Sequence, residues 1–187
     1  MISLVGYTGF VGSNLYDNMK FDRVYNSKNI EEAYGTKPDL LIYAGVRAEK
    51  YLANMNKKMD LANIETAFTN IKKINPKKVV LISTIDVYTV PCDVNEDSRI
   101  ESENLQPYGA NRHKLEKWIQ AEFDSYILRL PGLYGKNIKK NFIYDYINVI
   151  PFMLTEIKYN ELVKGQAQIA DIYKKQDNGF YKYQEKD

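Results

Sequence analysis

Cysteine and histidine each occur once in this chain of 187 residues, as Cys92 and His113, and tryptophan once, as Trp118. A single cysteine excludes an internal disulfide and suits a reducing compartment. Cys92 lies in "VPCDVNED" with no histidine beside it, so it reads as a free structural thiol; His113 cannot assemble a metal site with it, and no metal is expected. No apolar run reaches the length of a membrane span. The start "MISLVG" lacks a basic segment followed by a long apolar core, so no secretory signal is read, and a soluble, cytoplasmic protein is expected. Charge of one sign is also lacking: 26 basic residues face 24 acidic ones, a net charge of +2. A dedicated nucleic-acid binder needs a concentrated basic excess, and "KKINPKK" at 72–78 reads instead as a solvated helix end and turn. What is present, 44% hydrophobic and 27% charged residues, is ordinary globular composition rather than that of a disordered chain.

Short apolar runs alternate with helical stretches. "ISLV" (2–5), "DRVYNS" (22–27), "PDLLIYAG" (38–45), "KKVVLIST" (77–84) and "SYILRL" (125–130) read as strands. Between them, "TGFVGSNLYDNMK", "NIEEAYG", residues 48–74 and "PYGANRHKLEKWIQAEF" read as helical pieces, the third broken by Asn75-Pro76. Nearly continuous apolar content in "VVLI" fits a strand covered on both faces. The alternation predicts an α/β fold with a doubly wound parallel sheet over residues 1–130. After Pro131 the chain shows helical pieces and no clear further strand, and the tail from 171 is polar, rich in tyrosine, lysine and aspartate, without a strong motif.

"VGYTGFVGS" spaces Gly6, Gly9 and Gly12 three residues apart between the first strand and the first helix. Glycine there permits a tight turn, lets a pyrophosphate approach the backbone and allows close helix–strand packing, while the helix start offers unpaired N–H donors and partial positive charge. The segment Gly6, Gly9, Phe10, Val11 and Gly12 is therefore a candidate dinucleotide cradle, the strand–turn–helix context being what the motif requires. An acid about 20 residues on commonly binds the ribose of NAD. Here that place holds Asn26, Ser27 and Lys28, while Asp22 precedes the second strand and so lies at its wrong end. NAD and NADP both stay open, with Lys28 tilting the reading toward NADP.

A second constellation sits further on. Tyr108 and Arg112 are four residues apart, about 40° round a helix, and share a face; Lys114 points roughly 240° away. A tyrosine titrates near 10, so a proton shuttle near neutrality needs a fall of about three, on the order of 4 kcal/mol. A cation beside the phenol would favour the phenolate. Thr84, at the carboxyl end of "VVLIST", can donate a hydrogen bond to a reacting oxygen, and such strand ends are where open α/β sheets hold ligands.

Taken in order, "VGYTGFVGS", "IYAGV", "STIDVY", "PYGANRHKLE" and "LRLPGLYG" resemble the extended short-chain dehydrogenase/reductases, the sugar-nucleotide epimerases, dehydratases and reductases. The resemblance covers residues 1 to about 145. It implies a Rossmann domain binding NAD(P) and an incomplete or reduced substrate lobe at 131–187, since such proteins usually continue well beyond this length. It also implies hydride transfer on a nucleotide sugar, Tyr108 as acid/base, Thr84 orienting the reacting oxygen, and Ala44 and Gly45 lining the cofactor. The family's lysine anchors the nicotinamide ribose and lowers the tyrosine pKa; Arg112 occupies its position and keeps the charge but not the geometry. Gly132 stands where many epimerases carry a substrate-binding asparagine, and Asp60 falls near an asparagine common in the family. "GKNIKKNFIYDYI" is similar to the dTDP-4-dehydrorhamnose reductase group, which implies Asn141, together with Arg47, as substrate-binding residues. Helical faces around 48–74 and Trp118 imply a possible homodimer. The departures motivate an alternative, a dinucleotide-binding protein with little or no catalysis, serving as a sensor or assembly subunit.

Overall fold

Five strands form the expected parallel sheet: β1 (Ile2–Val5), β2 (Arg23–Tyr25), β3 (Leu40–Tyr43), β4 (Lys78–Thr84) and β5 (Asp124–Leu130), in the order β2-β1-β3-β4-β5. The computed structural model describes residues 1–138, 141–148 and 151–184, and the chain divides into two compact units, Met1–Leu133 and Tyr134–Asp187. From β1 the chain moves outward to β2, then crosses back over β1 to β3, where Leu4 pairs with both Val24 and Ile42. The direction of winding therefore reverses between β1 and β3, and a ligand crevice opens outside the carboxyl ends of the strands at such a reversal.

The connections are α1 (Phe10–Asn18), a 3-10 turn (Ile30–Ala33), α2 (Lys50–Met55), α3 (Lys57–Ile74) and α4 (Pro107–Glu122). Because parallel crossovers are right-handed, the outward β1–α1–β2 step and the return steps through α3 and α4 lie on opposite faces of the sheet. The face under α3 and α4 is the dry one. Leu41, Val79 and Leu81 meet Ile64, Ala67, Ile71 and Ile74 of α3 and Leu115 and Ile119 of α4, all of them buried. Burial at this scale contributes about 1.5–3 kcal/mol per large aliphatic side chain. On the other face the alternating residues of β5 stand in solvent, Tyr126 at 59% and Leu128 at 45% exposure.

Local sequence sets the boundaries. Residues 48–74 form two helices rather than one stretch, because Asn56 ends α2 and caps α3, its Oδ1 accepting the Met59 N–H at 3.0 Å. Asn75, in the left-handed region at φ 56°, closes α3 ahead of Pro76. Pro107 opens α4 at a position where its missing N–H costs nothing.

The second unit corrects the reading of its sequence. It contains three short strands, β6 (Met153–Leu154), β7 (Tyr173–Lys175) and β8 (Tyr181–Tyr183), in an antiparallel sheet ordered β6-β8-β7, with α5 (Phe142–Asn148), α6 (Glu156–Gly165) and α7 (Ile169–Ile172). Strands of two or three residues are too short to display alternation. The tail is a hairpin whose tyrosines pair rings: Tyr159 stacks on Tyr181 at 3.6 Å, and Tyr173 meets Tyr183 at 5.9 Å.

Candidate functional site

The glycine turn has the form a phosphate cradle requires. Gly6 adopts φ +93°, and a Cβ there would stand 2.5 Å from the Ala44 carbonyl oxygen. Gly12 is buried, and a Cβ on it would meet the Gly6 carbonyl at 2.0 Å. Between them Gly9 is exposed, its side facing open space but for one ordinary contact. The first and third glycines thus close the turn against β3 and α1, while the second leaves the backbone approachable. Gly9 caps α1 with no side chain on the first N–H groups, which include those of Phe10 and Val11, and no acid stands in the first turn. Such a helix start favours an anion. Ala44, held by its N–H on the Val5 carbonyl at 2.9 Å, and exposed Gly45 form the opposite lip. The residues present fit a dinucleotide.

At the end of β2, Asn26 is taken up by its own loop: its Oδ1 accepts the Lys28 N–H and its N–H donates to Asn29 Oδ1, each at 2.8 Å. Ser27 and Lys28 are exposed. Asp22 has a structural task, its carboxylate accepting the Ile2 N–H at 2.6 Å and fixing the start of β1.

Thr84 and Tyr108 come from the end of β4 and the first turn of α4. Thr84 Oγ1 accepts the Asp86 N–H at 3.1 Å, capping the 3-10 turn Ile85–Val87, and lies 3.3 Å from Asp86 Oδ2. Tyr108 is 7% exposed, and its N–H donates to Asn54 Oδ1 of α2 at 2.9 Å. The Arg112 guanidinium lies over the Tyr108 ring, 3.7 Å from its centroid. The two side chains share the face that their spacing predicts.

The electrostatics differ from the expectation. Arg112 Nη1 donates to Asp60 Oδ2 at 2.6 Å and to the Tyr108 carbonyl at 3.2 Å, and Nη2 donates to the Arg47 carbonyl at 2.6 Å. Asn111 adds a bond to the same Asp60 oxygen at 2.7 Å. Asp60 offsets the cation at close range. Burial pushes the Tyr108 phenol above its ordinary value; Arg112 pulls it down, Asp86 and Asp60 push it up, and Lys50 pulls it down, with a net rise. The expectation of a phenol poised near neutrality is corrected: desolvation outweighs a cation that already has a carboxylate.

Beneath this site lies a second buried network. Glu116, wholly buried, receives both Nε and Nη2 of Arg129, the latter at 2.9 Å, and the Ser83 hydroxyl. Arg129 Nη1 donates to the Tyr88 hydroxyl at 2.6 Å, which donates on to the Asn95 carbonyl at 2.7 Å. His113 lies 3.5 Å from Glu116, and its pKa is lowered chiefly by burial.

Asp60 and Glu116 were both legible as anomalies. Each occupies a stripe position, Asp60 with Ile64, Ala67, Ile71 and Ile74, and Glu116 with Leu115 and Ile119. A carboxylate there needs a cation. Lys50 of α2, bound to Asp86 at 2.6 Å, carried no sequence signal. Arg47 is exposed beyond β3, and only its backbone joins the Arg112 network. Asn141 belongs to the second unit, where its Oδ1 accepts the Tyr144 N–H at 2.9 Å and caps α5. Among the described residues no His, Cys, Asp or Glu group is placed to hold a metal ion, and no helix is long and apolar enough to cross a membrane.

No protein-family model matches the sequence, and no curated protein matches it. Among solved structures, the fold is similar to a dTDP-4-dehydrorhamnose reductase from Clostridium acetobutylicum, with TM-score 0.65, 17% identity, and 79% of this chain covering 58% of that one. The same enzyme from Bacillus anthracis, in complex with NADP, aligns with TM-score 0.65, 19% identity, and coverage of 79% and 59%. A UDP-galactose 4-epimerase aligns with TM-score 0.64, 20% identity, and coverage of 79% and 61%. The chain thus has the Rossmann-type fold of these proteins and spans about three-fifths of their length.

Proposed function

We propose that this chain is an NAD(P)-dependent oxidoreductase or epimerase of the extended short-chain dehydrogenase/reductase type, acting on a nucleotide sugar. The observation that carries the reading is a coincidence of place. The glycine turn, Thr84 and Tyr108 lie at the same carboxyl edge of one sheet whose fold is shared with a reductase solved with NADP and with a UDP-galactose epimerase.

A bound nicotinamide would supply or accept the hydride. This chain's own residues supply the rest. Gly6, Gly9, Phe10, Val11 and Gly12 hold the pyrophosphate, Ala44 and Gly45 bound the crevice, and Asn26, Ser27 and Lys28 meet the adenosine ribose. Thr84 donates to the reacting oxygen, and Tyr108 gives or takes its proton. Burial raises the proton affinity of Tyr108, so at neutral pH it carries its proton and must give or take it within the site. Arg47 is a substrate contact in this reading, as a cation for phosphate.

Parallel fluorescence titrations with NADH and NADPH, followed by a screen of UDP-, GDP- and dTDP-sugars, test the reading. Binding and turnover are expected, with Tyr108→Phe losing about a hundred-fold or more of the rate. Unchanged turnover in that variant overturns the mechanism. A second reading is favoured by the Asp60–Arg112 pair, which occupies the cation: a dinucleotide-binding sensor or assembly subunit. Binding of NAD(P)H with no turnover of any sugar nucleotide selects it.

A further inference from the structure

Helix α4 begins without a cap of its own. Its N-cap residue, Gln106, makes no side-chain hydrogen bond to the first turn, and Pro107 has no N–H to offer, so the first open donor of the helix is the Tyr108 N–H. That donor is met from another helix: Asn54 Oδ1 of α2 accepts it at 2.9 Å. An asparagine side chain on an orphan N–H of the first turn is what an N-cap residue ordinarily supplies. Here it comes from 54 residues away. Two further contacts bear on the same turn. A Cβ on Gly109 would stand 2.0 Å from the Asp86 carbonyl oxygen, so α4 starts hard against the turn Ile85–Val87 that Thr84 caps. Arg112 Nη1 then donates to the Tyr108 carbonyl at 3.2 Å.

Asn54 is itself held on both sides. Its neighbour Ala53 is the buried residue of α2, and Lys50, one turn earlier, bonds Asp86 at 2.6 Å. Just beyond α2, Asn111 Nδ2 of α4 donates to the Lys57 carbonyl at 3.4 Å and to Asp60 Oδ2 at 2.7 Å. We propose that Asn54 is a positioning residue for Tyr108: by capping α4 from α2, it sets how the first turn presents the phenol. This rests on the reading of Tyr108 as the proton-transferring group. The close approach of Gly109 to the Asp86 carbonyl is a pivot, which fixes a point of the helix but not its rotation. A hydrogen bond on the residue before the pivot removes that remaining freedom. Without the Asn54 acceptor, the Tyr108 N–H has to turn toward water, and the first turn frays about the pivot and carries the ring with it.

The test follows two signals in the full chain: hydrogen exchange at the Tyr108 amide, and the fluorine resonance of 3-fluorotyrosine placed at position 108. Asn54→Ala is expected to speed exchange at Tyr108 by roughly five-fold, to leave Leu115 and Ile119 as protected as before, and to displace or split the fluorine line. Asn54→Asp, equal in shape and in capping strength, is expected to restore both signals. Unchanged exchange or an unmoved fluorine line in Asn54→Ala overturns the proposal, as does an Asn54→Asp variant that behaves like Asn54→Ala. Faster exchange along the whole of α4 overturns it too, since that is what loosened packing alone would give. Neither cofactor nor turnover enters the measurement, so its failure leaves the nucleotide-sugar reading standing, and absence of turnover leaves this result standing.

Discussion

Helix α4 supplies one member to each of two buried ion pairs, and they are built for different ends. Glu116 is wholly buried and met by Arg129 through two nitrogens, with Ser83 on the same oxygen as one of them. That is a fork closed on a carboxylate, tying α4 to β4 and β5. Arg112 instead meets Asp60 through one nitrogen, donates to two backbone carbonyls, and lays its plane on Tyr108. The first pair braces the scaffold; the second fixes the shape of the site and offsets its own charge. The comparison teaches that a cation beside a phenol is not by itself an activator, since what its other hydrogen bonds hold decides how much field remains.

Breaking the scaffold pair should cost most. Arg129→Met leaves Glu116 buried and unpaired, with an expected loss of about 3–5 kcal/mol in urea unfolding. Asp60→Asn should cost less, about 2 kcal/mol, because Arg112 keeps both carbonyl partners. The same change removes a carboxylate that raises the Tyr108 phenol, so the midpoint of that residue should fall while Arg129→Met leaves it in place. The cradle gives a third contrast: Gly12→Ala, forced into the Gly6 carbonyl, should weaken NAD(P)H binding by about ten-fold or more in a fluorescence titration.

A pH profile sharpens the comparison further. For a phenol whose pKa is raised, the protonated acid persists through neutrality and is lost only as pH passes the raised value. Reductive kcat/KM should therefore stay level across neutral pH and fall only above the ordinary titration range of a tyrosine. Smallest of all is Gly132→Ala. That residue is exposed, with nothing near a Cβ, so unfolding should shift by no more than about 0.5 kcal/mol.

How much of this could be read from the residues follows from what each signal depends on. The parallel sheet was legible because "ISLV", "LLIY" and "VVLI" are buried strands whose apolar content is local information. The Gly6–Gly12 turn was legible because strand, spacing and helix are contiguous. The shared face of Tyr108 and Arg112 followed from helical geometry alone. The sign of the Tyr108 shift did not, since it depends on burial and on Asp60, 52 residues away along the chain. Lys50 and Asp86, separated by 36 residues, were equally silent. The small second sheet escaped because its strands hold two or three residues each, and its tyrosines announce themselves only once their rings are stacked.

Strand β5 ends its sheet, and Tyr126 and Leu128 stand in water on the side opposite α4. An outermost strand that exposes apolar side chains is a template on which other chains can zip. Purified material should therefore be lost first by lateral accretion along that margin, and Leu128→Lys, which puts a charge there without touching the crevice, is the change that keeps solutions clear.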